Sequence, residues 1–103
     1  MTDMTISNTI LTQLGGNRFL AMTGAKNLTT SGKDLNFKIM RNSEKITHVI
    51  IRLNDKDLYD IDFLNIRMTK TDIRRTIKNV AFDVYAEDLQ RVFTAHTGLD
   101  THL

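Results

Sequence analysis

The residues best suited to chemistry in this sequence are basic, and five of them fall within one short segment. Residues 67–78 hold five Lys or Arg side chains and a single acid, Asp72. Such a run can neutralise backbone phosphates and release their counterions, so that binding weakens as salt rises. It also suits an exposed segment whose charges only keep the chain solvated. The basic side chains predicted to bind nucleic acid are Arg67, Lys70, Arg74, Arg75 and Lys78, with Arg18 and Lys26 as additions.

A second set of side chains is acidic and precedes the basic segment. The acids of residues 55–62 suggest a metal site, but the calcium-loop pattern requires Glu at its last position, where Ile66 stands. A magnesium-dependent enzyme would instead need Asp60, Asp62 and Asp83 to converge on one ion. Carboxylates with basic neighbours are far more often solvated surface groups. We therefore predict neither a metal nor a cofactor.

No other combination of reactive residues has the spacing that catalysis requires. The chain has no cysteine, which excludes disulfides, thiolate chemistry and cysteine-ligated metals. The three histidines, His48, His96 and His102, lack the i, i+4 spacing of zinc ligands on a helix. No set of Ser, His and Asp residues can be derived from spacing alone. We therefore expect that the protein is not an enzyme.

The composition is that of an ordinary globular domain. The chain has 103 residues, of which 41% are hydrophobic and 25% charged, so we expect one domain over residues 1–103. No apolar run approaches the length of a membrane-spanning helix, and residues 1–10 do not follow the pattern of a signal peptide. We therefore expect no membrane partner and a cytoplasmic location. The net charge of +2 is divided unevenly, with +4 over residues 1–54 and −2 over residues 55–103.

The elements that must position these side chains follow from hydrophobic periodicity. Apolar residues recur every three or four positions near both ends of the chain and alternate in most segments between them. The predicted helices span residues 5–14 and 86–97, and the predicted strands span residues 17–23, 34–40, 46–53, 58–68 and 77–84. Residues 24–27 and 29–32 are predicted turns, and residues 69–76 are a predicted polar connection.

These elements predict an α+β fold in the order α-β-β-β-β-β-α. Short connections favour an antiparallel meander of four or five strands, with the N-terminal and C-terminal helices packed on its one apolar face. In the last strand, Val80, Phe82 and Val84 are expected on the apolar face. Asn79 and Asp83 are expected on the opposite face.

The outward face of this predicted sheet is mixed in character, with Ile50 and Leu58 among polar residues. One interpretation is a solvated face with cross-strand ion pairs, such as Arg52 with Asp60 or Asp62. The other is a binding surface for a protein, including a second copy of this chain in a homodimer, because open faces and edges of sheets are where partners dock.

Two stretches resemble a known group of proteins. One reads Leu-Gly-Gly-Asn-Arg-Phe at residues 14–19 and continues into Met-Thr-Gly-Ala-Lys-Asn at residues 22–27. The other runs from Tyr-Ala-Glu-Asp-Leu at residues 85–89 to Thr-Gly-Leu at residues 97–99. Together they resemble small proteins of unknown function encoded by bacteriophages, prophages and plasmids, over nearly the whole chain. The resemblance implies an origin and a bacterial host cell, and it assigns no catalytic residue.

Two functions of different classes follow as hypotheses. The first is a small binding protein of phage or mobile-element type that contacts nucleic acid mainly through backbone phosphates. The alternative is a protein-binding module, such as an inhibitor of a host defence or replication protein, which uses the exposed sheet face or a strand edge. Salt separates the two, because phosphate binding collapses as salt rises whereas an apolar protein interface responds little.

Overall fold

A five-stranded antiparallel sheet is the framework of the molecule. The computed structural model describes residues 5–30, 34–40, 42 and 44–99. The strands are β1 (Lys26–Thr30), β2 (Asp34–Lys38), β3 (His48–Leu53), β4 (Tyr59–Met68) and β5 (Ile73–Val84). They lie side by side in chain order, and each is antiparallel to its neighbours. This strand order confirms the predicted meander. Its physical reason is the short connections, because a crossover between parallel strands needs a dozen or more residues.

Helices pack against one face of this sheet. They are α1 (Thr5–Leu14), α2 (Asn17–Thr23) and α3 (Leu89–Thr97), and a single 3₁₀ turn at Ala86–Asp88 leads into the last. Side chains of all three helices join inward side chains of the sheet in one buried cluster. The predicted α+β class is confirmed, with a helix at each end of the order. We call this side of the sheet the covered face and the opposite side, against which no described helix packs, the bare face.

Three aromatic rings fix the helices on the covered face. Phe19 of α2 meets Phe37 of β2 edge-on, with ring centroids 5.3 Å apart. The same ring meets Phe93 of α3 at 5.2 Å. All three side chains are almost completely buried. Edge-to-face contacts add to the free energy gained by burial, so this cluster sets how α2 and α3 lie on the sheet.

The strand predicted at residues 17–23 is wrong, because this segment forms α2. Phe19 and Thr23 lie four residues apart and are both fully buried, and Thr23 Oγ1 donates a hydrogen bond of 2.7 Å to the Phe19 carbonyl. Gly24 ends the helix at a φ of 64°, a left-handed conformation that glycine adopts at little cost. A segment of only seven residues fits either period, so alternation could not distinguish helix from strand.

The first strand comes instead from residues that were predicted to be turns. β1 pairs with β2, with a register shift between Lys26 and Thr29. Asn27 within that shift has a φ of 56°, so a turn-forming residue is accommodated in a bulge of an edge strand. The prediction of up to five strands is therefore right, although its first strand was placed in the wrong segment.

The last strand begins earlier than predicted. Residues 73–76, predicted as part of a polar connection, belong to β5, and the true turn covers residues 69–72. Thr69 N donates a hydrogen bond of 2.7 Å to the Asp72 carbonyl and closes this turn. Every residue from 69 to 80 is exposed, so this part of the strand shows no apolar alternation from which it could be recognised.

A bulge at Lys78 changes which face the following residues occupy. Phe63 of β4 pairs with Asn79, whereas the next residue, Leu64, pairs with Ile77. Lys78 is thus an extra residue in β5, and one added residue moves the side chains after it to the other face. A second register shift, between Ala81 and Val84, returns Val84 to the core, as predicted.

This bulge overturns three predicted orientations. Asn79, expected on the bare face, lies on the covered face, where its side-chain amide is 2.8 Å from Nδ1 of His96 in α3. Val80 and Phe82, expected on the covered face, are instead 37% and 66% exposed. Alternation within β5 was therefore a sound guide to strand formation and a poor guide to face.

Candidate functional site

The meander gathers basic residues at one end of the sheet. Successive strands run in opposite directions, so the starts of β1, β3 and β5 lie beside the ends of β2 and β4. Lys26, at the start of β1, pairs with Lys38, at the end of β2, and Lys38 pairs with His48, at the start of β3. The end of β4 and the start of β5 bring Arg67 and Arg74 to the same end.

A two-stranded ribbon projects from this end. The last pair between β3 and β4 is His48 with Leu64. Beyond it, residues 65–68 of β4 pair only with residues 73–76 of β5. We call this extension the ribbon. No third strand accompanies it in the described part of the chain, although the connection between β2 and β3 contacts its base, where the Ile66 amide donates to Thr47 Oγ1 at 2.8 Å. Beyond that contact, both faces of the ribbon are open to a ligand.

The ribbon carries different side chains on its two faces. Phe63 lies in the core, and side chains alternate along a strand, so Asn65 and Arg67 share the covered face with it. Their cross-strand partners, Thr76 and Arg74, lie on that face too. The pairs on the bare face are Ile66 with Arg75 and Met68 with Ile73.

Four basic side chains line one groove on the covered face of the ribbon. A cavity of about 250 Å³ is lined by Lys45, Arg67, Arg74 and Lys78, together with Asn65 and Thr76. It adjoins a cavity of about 530 Å³ that shares Lys45, Asn65 and Arg67. Lys38 also lines this larger cavity, so we keep the name basic groove for the smaller cavity, with its four cations. No Asp or Glu is among the described residues that line either cavity.

The connection between β2 and β3 forms the second wall of the groove and is held in place by hydrogen bonds. Asn42 donates to the Ile46 carbonyl at 2.6 Å, and its own side-chain carbonyl accepts the Ile46 amide at 3.1 Å. Asn65 of β4 donates to the Lys45 carbonyl at 2.6 Å. Lys45 has a φ of 58°, which is uncommon for a residue with a side chain. These bonds impose that conformation and so position Lys45 opposite the ribbon.

The electrostatics of the groove favour an anion. Arg67 and Arg74 stand directly opposite each other, and like charges in that position destabilise a strand pair. Within residues 5–30, 34–40, 42 and 44–99, the ion pairs are Arg52–Asp62, Lys56–Asp83 and Arg91–Asp88, none of which involves a groove cation. A bound anion would offset the repulsion that the fold leaves uncompensated.

The structure brings together three of the seven residues predicted from sequence. Arg67, Arg74 and Lys78 line the groove. Lys70 lies in the exposed turn at the tip of the ribbon, and Arg75 lies on its bare face.

The two predicted additions lie outside the groove. Lys26 is exposed at the same end of the sheet, paired with Lys38. Arg18 is exposed on α2 and lines neither cavity. Sequence reasoning missed Lys45, which lines both cavities. Nothing in the sequence around Lys45 indicated contact with the ribbon.

The bare face beside the ribbon holds a histidine among cations. Burial lowers the pKa of His48 below its ordinary value of 6.5, and the positive charges of Lys38 and Arg75 lower it further. The Nδ1 atom of His48 is 2.7 Å from Thr47 Oγ1. His48 is therefore neutral at pH 7, and the positive charge on this part of the bare face belongs to Lys38 and Arg75.

The acidic side chains considered for metal binding are engaged by neighbouring donors. Arg52 binds Asp62 at 3.1 Å, which confirms one of the two ion pairs predicted for it. Asn54 donates to Asp60 at 3.1 Å and to Asp83 at 2.9 Å. Among the residues that the structure describes, no group of three or more His, Asp or Glu side chains is placed to hold a metal ion.

Comparison with known proteins adds no assignment. Comparison of the chain with protein-family models, with curated proteins and with solved structures gives no match. Across the described residues, no helix has both the length and the apolar character needed to cross a membrane.

Proposed function

We propose that this protein is a non-enzymatic nucleic-acid-binding protein that contacts backbone phosphates through the basic groove. The observation that carries the proposal is the groove itself, in which four cations converge from a loop and two strands without an acid among the described lining residues. The phage or mobile-element origin and the bacterial host belong to the same proposal and rest on the sequence resemblance. The cytoplasmic location belongs to it too, and rests on the pattern of residues 1–10 and the absence of a long apolar run.

The four cations suit phosphate in two ways. The guanidinium groups of Arg67 and Arg74 present paired donors that match two oxygens of one phosphate. The ammonium groups of Lys45 and Lys78 act as point charges on longer, flexible stems. Thr76 adds a hydroxyl beside them, of the kind that commonly contacts phosphate or sugar.

The test is the salt dependence of binding. Fluorescence anisotropy should detect binding to short labelled DNA or RNA at low ionic strength. The logarithm of the association constant should fall linearly with the logarithm of salt concentration, with a slope of about −3.6 for duplex DNA if four phosphates are neutralised. No binding to any single- or double-stranded probe at low salt would overturn the proposal.

A matched pair of variants locates the site. On a probe without guanine, replacing both Arg67 and Arg74 by Ala should lower affinity sharply and reduce the salt slope by about two, because two phosphate contacts are lost. Arg18→Ala should change neither quantity, since Arg18 is equally exposed and lies outside the groove. Because Arg18→Ala removes one charge and the double variant removes two, half the loss of binding free energy in Arg18→Ala would assign binding to net charge and not to the groove.

A protein-binding module is the second candidate function, and a stripe on the bare face favours it. The stripe consists of exposed apolar side chains, namely Met68, Ile73, Ile77, Val80 and Phe82, which are 81%, 62%, 64%, 37% and 66% exposed. An exposed apolar surface of this kind is typical of a protein interface. The bulges of β5 disrupt its outer ladder, so we expect a partner, such as a host defence or replication protein, to use the face and not the edge.

The charges around the stripe indicate which partner would fit. Lys26, Lys38 and Arg75 lie on the same end of the bare face, so a protein with acidic residues around an apolar patch is complementary to it. A second copy packed face to face sets the row of Lys26 and Lys38 against itself only when the twofold axis runs along the strands, so the bare face also permits a homodimer with the axis across them. Binding that persists at high salt and is lost on Ile77→Asp would support this second function.

A further inference from the structure

The covered face of the ribbon carries side chains that can read bases as well as phosphates. It presents Arg67 opposite Arg74 and Asn65 opposite Thr76. We infer that the ribbon enters the major groove of double-stranded DNA and that its two arginines recognise guanine. This inference rests on the proposed nucleic-acid binding and names its ligand. The two arginines contact phosphates on a duplex without guanine, and on G·C DNA they contact the guanine edges instead.

The dimensions of the ribbon match that groove. The major groove of DNA is about 12 Å wide and admits a two-stranded β-ribbon. Residues 65–68 and 73–76 form such a ribbon, and they stand beyond the last pair of β3 and β4. The projecting segment can therefore enter the groove before the rest of the sheet meets the phosphate backbone.

The paired arginines fit the edge of guanine. Guanine offers two acceptors, N7 and O6, to the major groove, and an arginine fork binds both at once. Directly opposite residues of a strand pair have Cβ atoms about 4.5–5.5 Å apart. Successive bases rise by about 3.4 Å along each strand, so Arg67 and Arg74 can reach neighbouring base pairs from one position of the ribbon.

The remaining side chains divide between reading and positioning. The Asn65 amide donates to the Lys45 carbonyl, so it holds the groove wall and leaves reading to other residues. Lys70 lies at the tip of the ribbon, and Lys45 and Lys78 lie at its base, so the lysines lie on both sides of the two arginines. These lysines are placed to meet the phosphates that border the groove, and such contacts fix register without specifying sequence.

The same geometry selects DNA over RNA. The major groove of double-helical RNA is deep and narrow, and side chains cannot read the bases there. A ribbon that presents arginines on one face cannot form those contacts with an RNA duplex. An RNA duplex should therefore be bound only through phosphates.

Four duplexes of equal length test the inference by anisotropy. One is DNA with consecutive G·C pairs, one is DNA with only A·T pairs, one is RNA with the G·C sequence, and one is the G·C DNA with 7-deazaguanine. We expect the G·C DNA to bind on the order of a hundredfold more tightly than the A·T DNA, at about tenfold for each arginine. The deazaguanine duplex should lose most of this preference, because its N7 acceptor is missing.

Two substitutions separate reading from charge. Arg67→Lys keeps the positive charge, so the salt slope should stay unchanged while the preference for G·C falls about tenfold. Lys78→Ala should weaken binding to all four duplexes alike and reduce the slope by about one.

The outcomes distinguish this inference from the proposed function. Equal affinity for all four duplexes, with a salt slope that depends on the groove cations, would overturn base reading and leave phosphate binding standing. An RNA duplex bound as tightly as the G·C DNA would also overturn it. Absence of binding to every duplex at low salt would overturn both the reading and the proposed function.

Discussion

Two adjacent residues with the same charge lie on opposite faces of the ribbon and have different surroundings. Arg74 and Arg75 are indistinguishable in composition and adjacent in sequence, yet alternation along β5 places them on opposite faces of the ribbon. Arg74 meets Arg67 in the basic groove. Arg75 lies beside Ile66 on the bare face and contributes to the lowered pKa of His48.

The first prediction at this scale compares those two arginines. Arg74→Ala should lower the affinity for a short duplex on the order of tenfold, because it removes a charge-assisted contact from the groove. Arg75→Ala removes the same charge one residue away and should have a much smaller effect. Anisotropy titrations of both variants at one salt concentration provide the measurement, and equal losses would contradict the assignment of faces.

The second prediction concerns pH and His48. Its pKa is lowered in the folded state, first by burial and then by Lys38 and Arg75, so the unfolded chain takes up a proton more readily. The contribution of neutral His48 to the free energy of unfolding is therefore fully present above the ordinary pKa of 6.5, and it declines as pH falls below that value. Urea unfolding at a series of pH values should show this decline.

The matched variant for this effect is His48→Gln, which cannot take up the proton. Its free energy of unfolding should change less between neutral and mildly acidic pH than that of the natural chain. Identical pH profiles for the two proteins would remove His48 as the source.

At the scale of elements, the sequence was informative wherever a segment had one clearly apolar side. Residues 34–38, 48–53 and 59–68 were found as strands because they alternate against a single core. The helices α1 and α3 were found because apolar residues recur along one side of each. Gly16 precedes α2 and Gly24 ends it, but glycines in these positions are equally typical of the turns on either side of a short strand.

Elements on the edges of the sheet were harder to predict. β1 is mostly exposed and pairs with one neighbour, so its residues carry no burial pattern. The start of β5 is exposed on both faces for the same reason. The bulge at Lys78 has no local sequence mark, because it is defined by the register against β4.

The third prediction tests the junction between α2 and the groove wall. A Cβ atom at Gly24 would lie 2.9 Å from the Cβ of Met40, in a chain segment where the Met40 amide donates to the Thr23 carbonyl at 2.9 Å. Asn tolerates the left-handed conformation better than most residues, yet it also brings a Cβ atom. Gly24→Asn should therefore lower the free energy of unfolding by about 1–2 kcal/mol, measured by urea denaturation. Unchanged stability would show that Met40 can move aside.

At the scale of the whole molecule, the meander brings basic residues from both halves of the sequence to one end of the sheet. Basic residues collect where β2 and β4 end, whereas the connection between β3 and β4 at the opposite end holds Asp55 and Asp57. The net charges of the two halves of the sequence did not predict this end, because Arg67, Arg74 and Lys78 come from the half with the negative net charge. The position of the basic end follows from which strand ends are neighbours, and only the strand order shows it.

The same reasoning explains how much of the candidate site was predictable. Arg67, Arg74 and Lys78 belong to one charged run, so composition alone singled them out. Lys45 comes from a separate loop and joins them only because Asn65 holds its backbone against β4. The division of the run between two faces depends on strand register, which the sequence did not define.

The fourth prediction concerns how fast nucleic acid is captured. A basic end should steer an anionic duplex, so the association rate constant should fall as ionic strength rises. Lys70→Glu at the tip of the ribbon should slow association severalfold. Lys56→Glu makes the same change in net charge at the opposite end, where Lys56 binds Asp83, and should slow it less. Stopped-flow measurements decide between them, and equal slowing would mean that only net charge matters.

The ribbon also has a consequence for how the backbone exchanges with solvent. Its amides lie in a strand pair that no third strand protects in the described part of the chain, so local opening there should be easier than in β3. In heavy water, peptides covering residues 65–76 should take up deuterium well before the sheet centre does. A bound duplex would then register as delayed labelling of those peptides, marking the contact without any substitution in the chain.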